Sequence, residues 1–327
     1  MDPRNNKIYQ KPAEKNCRQS RADGRREFLK AAARVAAFGG AAMLAGCGGG
    51  GMLGSKEALS LRWKEYFKKN YRLMTQEEKD ETVRRLERLA KLNKNVNVQM
   101  SSAPPIDGVL YGYAFSVTRC KGYMECVAAC VKENNLDRKS SMQYIRIFEM
   151  EHGQMSPEVG NAKYYHPVPV EDHFYMGVQC NHCQNAPCVK ACPVKATWQE
   201  PDGIVVVDYD WCIGCRYCMA ACPYGARHFN WAEPGIPEEE LNTNTHYLGN
   251  RPRYVGVVAK CTFCIQRTRN SPGRYPACVE VCPVGARKFG NLLDPDSEIR
   301  YCISNKRIFR LKEDLNTHPK FFYFFAT

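Results

Sequence analysis

An α+β fold, assembled from four repeats of a strand followed by a cysteine-bearing loop, is what this 327-residue sequence predicts. Three observations predict it. Short aromatic and β-branched segments lead into four separate cysteine runs, three of the runs close with the same C-x3-C-P spacing, and an amphipathic helical pattern precedes the first run. The 44% hydrophobic content excludes wholesale disorder. Eighteen cysteines gathered in tight runs lack the even spread of a disulfide framework, so the thiols point to metal.

Residues 1–46 read as an address rather than as part of the fold. Arg25 and Arg26 open an RREFLK string followed by a weakly apolar run from Val35 to Gly46, the pattern of a twin-arginine export signal. That run has twelve residues, rich in Ala and Gly. A membrane-spanning helix needs about twenty apolar positions, so the run is not expected to persist as an integral span. Leu44-Ala45-Gly46-Cys47 resembles the lipobox of bacterial lipoproteins, in which the cysteine is lipidated; a soluble signal peptide with a coincidental cysteine is the alternative. More than one acyl chain would hold the protein at the membrane surface, each buried CH2 contributing about 0.8 kcal/mol.

Residues 47–106 then read as a lipidated tether, glycine-rich from Gly48 to Ser55, and an amphipathic helix. Thr75 and Glu78 form a capping-box pattern ahead of Val83, Leu86, Leu89 and Leu92. The leucine face is expected to pack on the domain that follows; a partner subunit or the lipid surface is the other reading.

Residues 107–327 carry the repeats. Tyr111, Tyr113, Phe115 and Val117 run into Cys120; Phe174, Met176 and Val178 lead to Cys180; Ile204 to Val207 lead to Cys212; Tyr254, Val255, Val257 and Val258 lead to Cys261. Each segment is read as a strand that delivers a cysteine.

The third run is the most specific. Cys212, Cys215, Cys218 and Cys222, the last followed by Pro223, have the C-x2-C-x2-C-x3-C-P spacing of bacterial ferredoxins. Cysteines every third residue can wrap three corners of one iron-sulfur cubane, while the fourth, turned away at the proline, reaches a different one. A lone zinc site has no use for that fourth arm. The second run, Cys180, Cys183, Cys188 and Cys192 before Pro193, keeps the closing spacing with two extra residues in its middle gap. Crossing between the two runs predicts one 4Fe-4S cluster on Cys180, Cys183, Cys188 and Cys222, and another on Cys212, Cys215, Cys218 and Cys192.

The fourth run, Cys261, Cys264, Cys278 and Cys282 before Pro283, needs a partner of the same type, and the first run, Cys120, Cys126 and Cys130, supplies it. Crossing predicts a third 4Fe-4S cluster on Cys261, Cys264, Cys278 and Cys130. It also leaves a deficient site of Cys120, Cys126 and Cys282, with Tyr123 in the missing ligand position. Three thiolates suit a 3Fe-4S cluster; a 4Fe-4S cluster with Tyr123 or water as the fourth ligand, and an empty site, are the alternatives. Fifteen of the eighteen cysteines are thereby assigned. The predicted architecture is two ferredoxin-like modules with loop and strand insertions, runs 120–130 and 261–282 forming one and runs 180–192 and 212–222 the other.

The remaining residues carry less. Cys17 lies in the signal region and receives no role. Cys302, between Tyr301 and Ile303 in a strand-like stretch, reads as a buried structural thiol rather than a cluster ligand. His182 is either a donor toward cluster sulfur or a plain surface residue. The segments Asn134 to Asp172 and Trp231 to Arg253 read as solvated loops or docking surfaces. No C-x2-C pair is followed by His, and there is neither a P-loop nor a GxGxxG after a strand, so c-type haem and nucleotide chemistry are unsupported. The net charge of +13 does not argue for nucleic acid: residues 1–46 supply +6 of it, and four clusters at roughly −2 each would neutralise the rest.

Four cysteine runs in this order, with a polar insertion before the fourth and a twin-arginine signal in front, resemble the four-cluster electron-transfer subunits of the DMSO reductase superfamily over residues 107 to 323. The chain is similar to the iron-sulfur subunits of polysulfide reductase, of formate-dependent nitrite reduction systems (NrfC-like) and of alternative complex III. The resemblance implies two modules related by pseudo-twofold symmetry. It also implies an NrfD-type quinone-interacting membrane subunit as partner, with a molybdopterin subunit or a multihaem cytochrome beyond. Relatives such as the respiratory nitrate reductase beta subunit hold a 3Fe-4S cluster where one ligand is not cysteine, which is the resemblance's implication for Tyr123. The expected function is a non-catalytic electron conduit at the periplasmic face of the cytoplasmic membrane. A self-contained oxidoreductase that binds substrate at the deficient cluster, and a structural zinc protein, are the competing readings.

Overall fold

The structure is a computed structural model that describes residues 72–154, 156–270 and 273–326. The twin-arginine string, the apolar run, Cys17, Cys47 and the glycine-rich tether lie outside the described residues. Among the described residues no helix is long and apolar enough to cross a membrane.

Helix α1 (Gln76–Lys94) starts at a reciprocal cap. The Glu78 backbone N–H donates to Thr75 Oγ1 at 3.3 Å, and the Thr75 N–H donates to the Glu78 carboxylate at 2.8 Å. Val83 and Leu86 are buried against the main core, whereas Leu92 stays exposed. Strand β1 (Gln99–Ser101) follows, and the chain then enters β2 (Tyr111–Ser116), whose six residues are all buried.

From there the four cysteine runs alternate with short strands. Helix α2 (Glu125–Glu133) belongs to the first run and is followed by β3 (Arg146–Glu151) and β4 (His173–Val178). Helix α3 (Pro187–Lys190) belongs to the second run, followed by β5 (Thr197–Gln199) and β6 (Val205–Val207). Helix α4 (Tyr217–Ala220) belongs to the third, followed by β7 (His228–Phe229), β8 (Asn244–His246) and β9 (Val258–Ala259). Helices α5 (Ile265–Thr268) and α6 (Ala277–Glu280) belong to the fourth, followed by β10 (Arg287–Asn291), α7 (Glu298–Asn305), β11 (Arg307–Phe309) and β12 (Phe321–Phe325).

Each run therefore has an incoming and an outgoing strand, and the ladders link the runs in a cycle. The outgoing β3 pairs with the incoming β4, β5 with β6, β7 with β9, and the last outgoing strand β10 returns to the first incoming strand β2, all antiparallel. Two of these ladders, β5·β6 and β10·β2, lie within the predicted pairs of runs. The other two, β3·β4 and β7·β9, join one pair of runs to the other, so neither pair closes its sheets alone. The β10·β2 ladder is extended by β12, parallel to β2, and by β11 to give the largest sheet, while β1 and β8 form a separate parallel pair.

Helix length in each run follows from proline. Pro193, Pro223 and Pro283 come directly after the closing cysteines, and α3, α4 and α6 are four residues long. The first run has Val131 after Cys130, and α2 continues for nine residues. The helices pack in the pairs α2 with α6 and α3 with α4.

The residue just before the second cysteine position has positive φ in every run: Gly122 at 78°, His182 at 43°, Gly214 at 73° and Phe263 at 54°. At Gly214 the glycine is also a spatial requirement, because a Cβ there would lie 2.1 Å from the Gly256 carbonyl oxygen.

Three sequence expectations need correction. The strand expected from Tyr254 to Val258 shrinks to Val258–Ala259, since Gly256 turns the chain at φ 84° and donates its N–H to the Asn230 carbonyl at 2.8 Å. Cys302 lies on a helix, α7, where Ile299 and Cys302 share a face three residues apart and pack with Ala114, Phe322 and Phe324; Ser297 caps the start by accepting from the Arg300 N–H. The segments 134–172 and 231–253 are not simply solvated, for Leu136, Tyr144, Ile145, Met150, Tyr247 and Leu248 are buried in the core.

Candidate metal centres

The structure brings thiols of different runs near one another, and the thiolates that would repel one another are described in terms of the four predicted groups. Burial raises Cys183 to about 12, and the charges opposing its ionisation are Cys180, Cys188 and Cys222. These four side chains line one cavity together with His182, Tyr224 and Arg227. Cys192, also raised by burial, faces Cys212, and Cys218, pushed to about 11, faces Cys212 as well. Cys215, between them in the same loop, is the one exposed thiol of the sixteen described. Cys130 is raised well above the ordinary thiol range by burial and by Cys264, Cys261 and Cys278. Asn134 Nδ2 sits 3.6 Å from both Cys130 Sγ and Cys264 Sγ, which ties the first run to the fourth. Cys120, at about 11 through burial, faces Cys126 and Cys282.

Couplings between the groups string them into a line. Cys218 of the second group faces Cys188 of the first, Cys261 of the third faces Cys180 of the first, and Cys278 of the third faces Cys126 of the three-thiol group. The order is 192/212/215/218, then 180/183/188/222, then 130/261/264/278, then 120/126/282. The two end groups include exposed or half-buried sulfurs, Cys215 and Cys212 at one end and Cys120 and Cys282 at the other, while every thiol of the 130/261/264/278 group is buried.

Residues at the junctions were only partly legible in the sequence. His182 is fully buried, which removes the surface reading, and its ring stacks on Phe263 with centroids 3.7 Å apart, between the Cys180 and Cys261 ends of two groups. The Val205 N–H donates to His182 Nδ1 at 3.0 Å. Burial, with Lys260, Lys320 and Arg227 nearby, holds the imidazole neutral. Sequence reasoning missed the buried cations. Lys260 is fully buried and donates to the carbonyl oxygens of Val205 and Cys261. Lys320 is lowered to about 8 by burial, against the pull of Cys183 and Cys180. The signal for Arg227 and Arg287 was present as the string C-P-x-G-A-R, repeated after Cys222 and Cys282.

Tyr123 is 46% exposed, and the groups opposing or assisting Cys120 are Gly122, Arg287, Cys126 and Cys282 rather than its phenol. Cys302 belongs to a separate apolar cluster and faces Glu298 and Lys288, not the other thiols.

The donor set fits iron-sulfur clusters. A buried thiolate needs compensating charge, which cluster iron supplies. Cys180, Cys183, Cys188 and Cys222 line a shared cavity, and among the described residues no group of three or more His, Cys, Asp or Glu side chains is arranged to hold a single ion. Amide donors already aim at the sulfurs, from Ala196 to Cys192 at 3.2 Å, from Ala286 to Cys282 at 3.3 Å and from Phe263 to Cys261 at 3.4 Å. Such bonds favour the thiolate form and tune a cluster's potential.

Two family models, each described as a 4Fe-4S dicluster domain, match residues 171–238 and 211–286. The Hdr-like menaquinol oxidoreductase iron-sulfur subunit 1 of Archaeoglobus fulgidus is 39% identical over 65% of this chain and 82% of its own length. The menaquinone reductase iron-sulfur cluster-binding subunit of Nitratidesulfovibrio vulgaris is 36% identical over 66% and 88%. The B polypeptide of polysulfide reductase from Wolinella succinogenes is 34% identical over 65% and 92%. Thiols of different runs brought near one another, dicluster regions and relatives aligned along most of their length lead to one conclusion: the protein belongs to the family of iron-sulfur electron-transfer subunits of DMSO reductase-like respiratory oxidoreductases.

Proposed function

We propose that this chain relays electrons between a quinone-interacting, NrfD-type membrane subunit and a periplasmic redox partner, either a molybdopterin subunit or a multihaem cytochrome. The observation that carries the proposal is the line of four thiol groups, with the 130/261/264/278 group wholly buried and an exposed or half-buried sulfur in each end group. A path of that form suits stepwise transfer across the subunit, with no substrate pocket required along the way.

In this reading three 4Fe-4S clusters are held by Cys180, Cys183, Cys188 and Cys222, by Cys212, Cys215, Cys218 and Cys192, and by Cys261, Cys264, Cys278 and Cys130. A 3Fe-4S cluster is held by Cys120, Cys126 and Cys282. When bound, the clusters supply one-electron redox chemistry. The protein is exported folded through the twin-arginine route and is anchored at the periplasmic face by lipid on Cys47. The two modules are related by pseudo-twofold symmetry, which the repeated strings Cys222-Pro223-Tyr224-Gly225-Ala226 and Cys282-Pro283-Val284-Gly285-Ala286 support.

Electron paramagnetic resonance of the anaerobically purified full chain tests this reading. A 3Fe-type signal in the oxidised state and several 4Fe-type signals on reduction are expected. A preparation without iron and acid-labile sulfide sinks the function, and an oxidised sample without the 3Fe-type signal sinks the assignment of the Tyr123 site.

A further inference from the structure

Arg227 and Arg287 each stand five residues after the closing cysteine of a run. Their relative exposures are 4% and 2%. Arg227 Nη2 donates to Cys188 Sγ at 3.0 Å and to Thr197 Oγ1 at 2.9 Å. Arg287 Nη1 donates to the Tyr113 hydroxyl at 3.1 Å and to Gln179 Oε1 at 2.9 Å, and that hydroxyl lies 3.3 Å from Cys278 Sγ. Further guanidinium donors, Nε and Nη1 of Arg227 and Nη2 of Arg287, have no protein partner among the described residues.

A guanidinium stays charged in proteins, and a buried charge without a counter-ion is strongly destabilising. Two other buried arginines have carboxylates, Arg269 with Asp202 and Glu200 and Arg251 with Asp210, whereas the buried Arg253 donates to the carbonyl oxygens of Asn134 and Gly249 and faces no thiol. The groups that face Arg227 are instead the thiols Cys188, Cys218 and Cys180, and those that face Arg287 are the thiols Cys126 and Cys278 with the neutral Tyr113 hydroxyl beside them. Each set spans two neighbouring thiol groups. Arg227 stands between the 180/183/188/222 and 192/212/215/218 groups, and Arg287 between the 130/261/264/278 and 120/126/282 groups.

We infer that Arg227 and Arg287 are the fixed counter-charges of the two cluster pairs, each raising the reduction potentials of the clusters on both sides of it. The inference rests on the cluster reading of these sites. Reduction adds one negative charge to a cluster, and a nearby fixed cation favours that form. Arg227 acts on sulfur directly, whereas Arg287 reaches Cys278 through the Tyr113 hydroxyl, so removing that hydroxyl breaks one relay while leaving the charge in place.

The test is a redox titration, followed by electron paramagnetic resonance, of the full chain and its variants, with iron and sulfide measured on the same samples. Arg227→Gln is expected to bind wild-type iron while the ratio of reduced to oxidised form of each of its two clusters at a fixed potential falls about tenfold, equivalent to about 59 mV for a one-electron couple. The other pair should stay unshifted, and Arg287→Gln should give the converse. Tyr113→Phe should shift the third cluster by less than Arg287→Gln does. Full iron with unshifted midpoints in both glutamine variants overturns the inference. If either glutamine variant loses iron, the lysine variants decide: Arg227→Lys and Arg287→Lys keep the charge and should stay within about threefold of the wild-type ratio of reduced to oxidised cluster, and a tenfold fall in that ratio overturns the counter-charge role. Wild-type protein without iron or sulfide defeats the cluster reading itself, a result distinct from any of these.

Discussion

The rings of His182 and Phe263 stack at 3.7 Å between centroids, 25° from parallel, although they belong to different runs and occupy the same position within them, each with left-handed backbone. The pair joins the second run to the fourth beside Cys180 and Cys261, where the line of thiol groups passes between the two pairs of runs. Phe263 is buried and also packs against Tyr113 and Phe289. Removing a buried aromatic ring costs about 3–5 kcal/mol. Phe263→Ala is therefore expected to lower the free energy of unfolding in urea by about that amount, followed by circular dichroism. A loss below about 1 kcal/mol would mean that the stack contributes little to joining the modules.

Tyr123 stands where the other three runs have a cysteine, and Gly122 before it keeps the positive φ found just before that position in those runs. Tyr123→Cys is expected to supply the fourth thiolate and convert the proposed 3Fe-type site to a 4Fe-type one. The oxidised-state resonance should vanish while iron per molecule rises. Persistence of that resonance with unchanged iron would show that a fourth thiol in this position cannot reach the site.

Cys302 and Cys282 make a controlled comparison, since one packs among Ile299, Phe322 and Phe324 and the other faces Cys120. Cys302→Ala should leave iron and sulfide content unchanged and cost about 1 kcal/mol of stability. Cys282→Ala should lose one cluster. Equal iron loss in the two variants would contradict the separation of Cys302 from the cluster ligands.

His246 is buried, its Nε2 bonded to the Ala103 carbonyl at 3.1 Å, and Nδ1 accepts from the Leu248 N–H at 3.2 Å. Burial, helped by the charge of Arg269, lowers it to about 3 from an ordinary 6.5. As pH falls the unfolded chain takes up this proton first. Stability from the neutral ring is therefore fully present above about pH 6.5 and is lost as pH drops toward 3. Over that window the loss should be roughly 2–4 kcal/mol. His246→Gln should flatten the acid limb relative to wild type, measured as urea midpoints from pH 7 to pH 4. Parallel limbs would rule His246 out as a contributor.

How far the sequence could be read depended on the distance over which each feature is set. The cap at Thr75 and Glu78, the strands ahead of Cys120 and Cys180, and the stop that Pro193, Pro223 and Pro283 impose on their helices all follow from a few adjacent residues. The same local rules misled at Val255, where a single glycine turn delayed the start of the expected strand to Val258, and at Cys302, where Tyr301-Cys302-Ile303 suited a strand but the Ser297 cap began a helix.

Cysteine spacing by itself determined that the thiols come in cluster-sized sets, because the reach of a loop with a ligand every third residue is fixed by backbone geometry. Only the tertiary structure decided the linear order of those sets, the ladders β3·β4 and β7·β9 shared between the pairs of runs, and the burial of His182, Arg227 and Arg287 at the junctions. The physical reason is that strands of two to six residues carry too little pattern to name their partners. Their pairing, and the electrostatic surroundings it creates, is settled by packing between segments far apart in the chain.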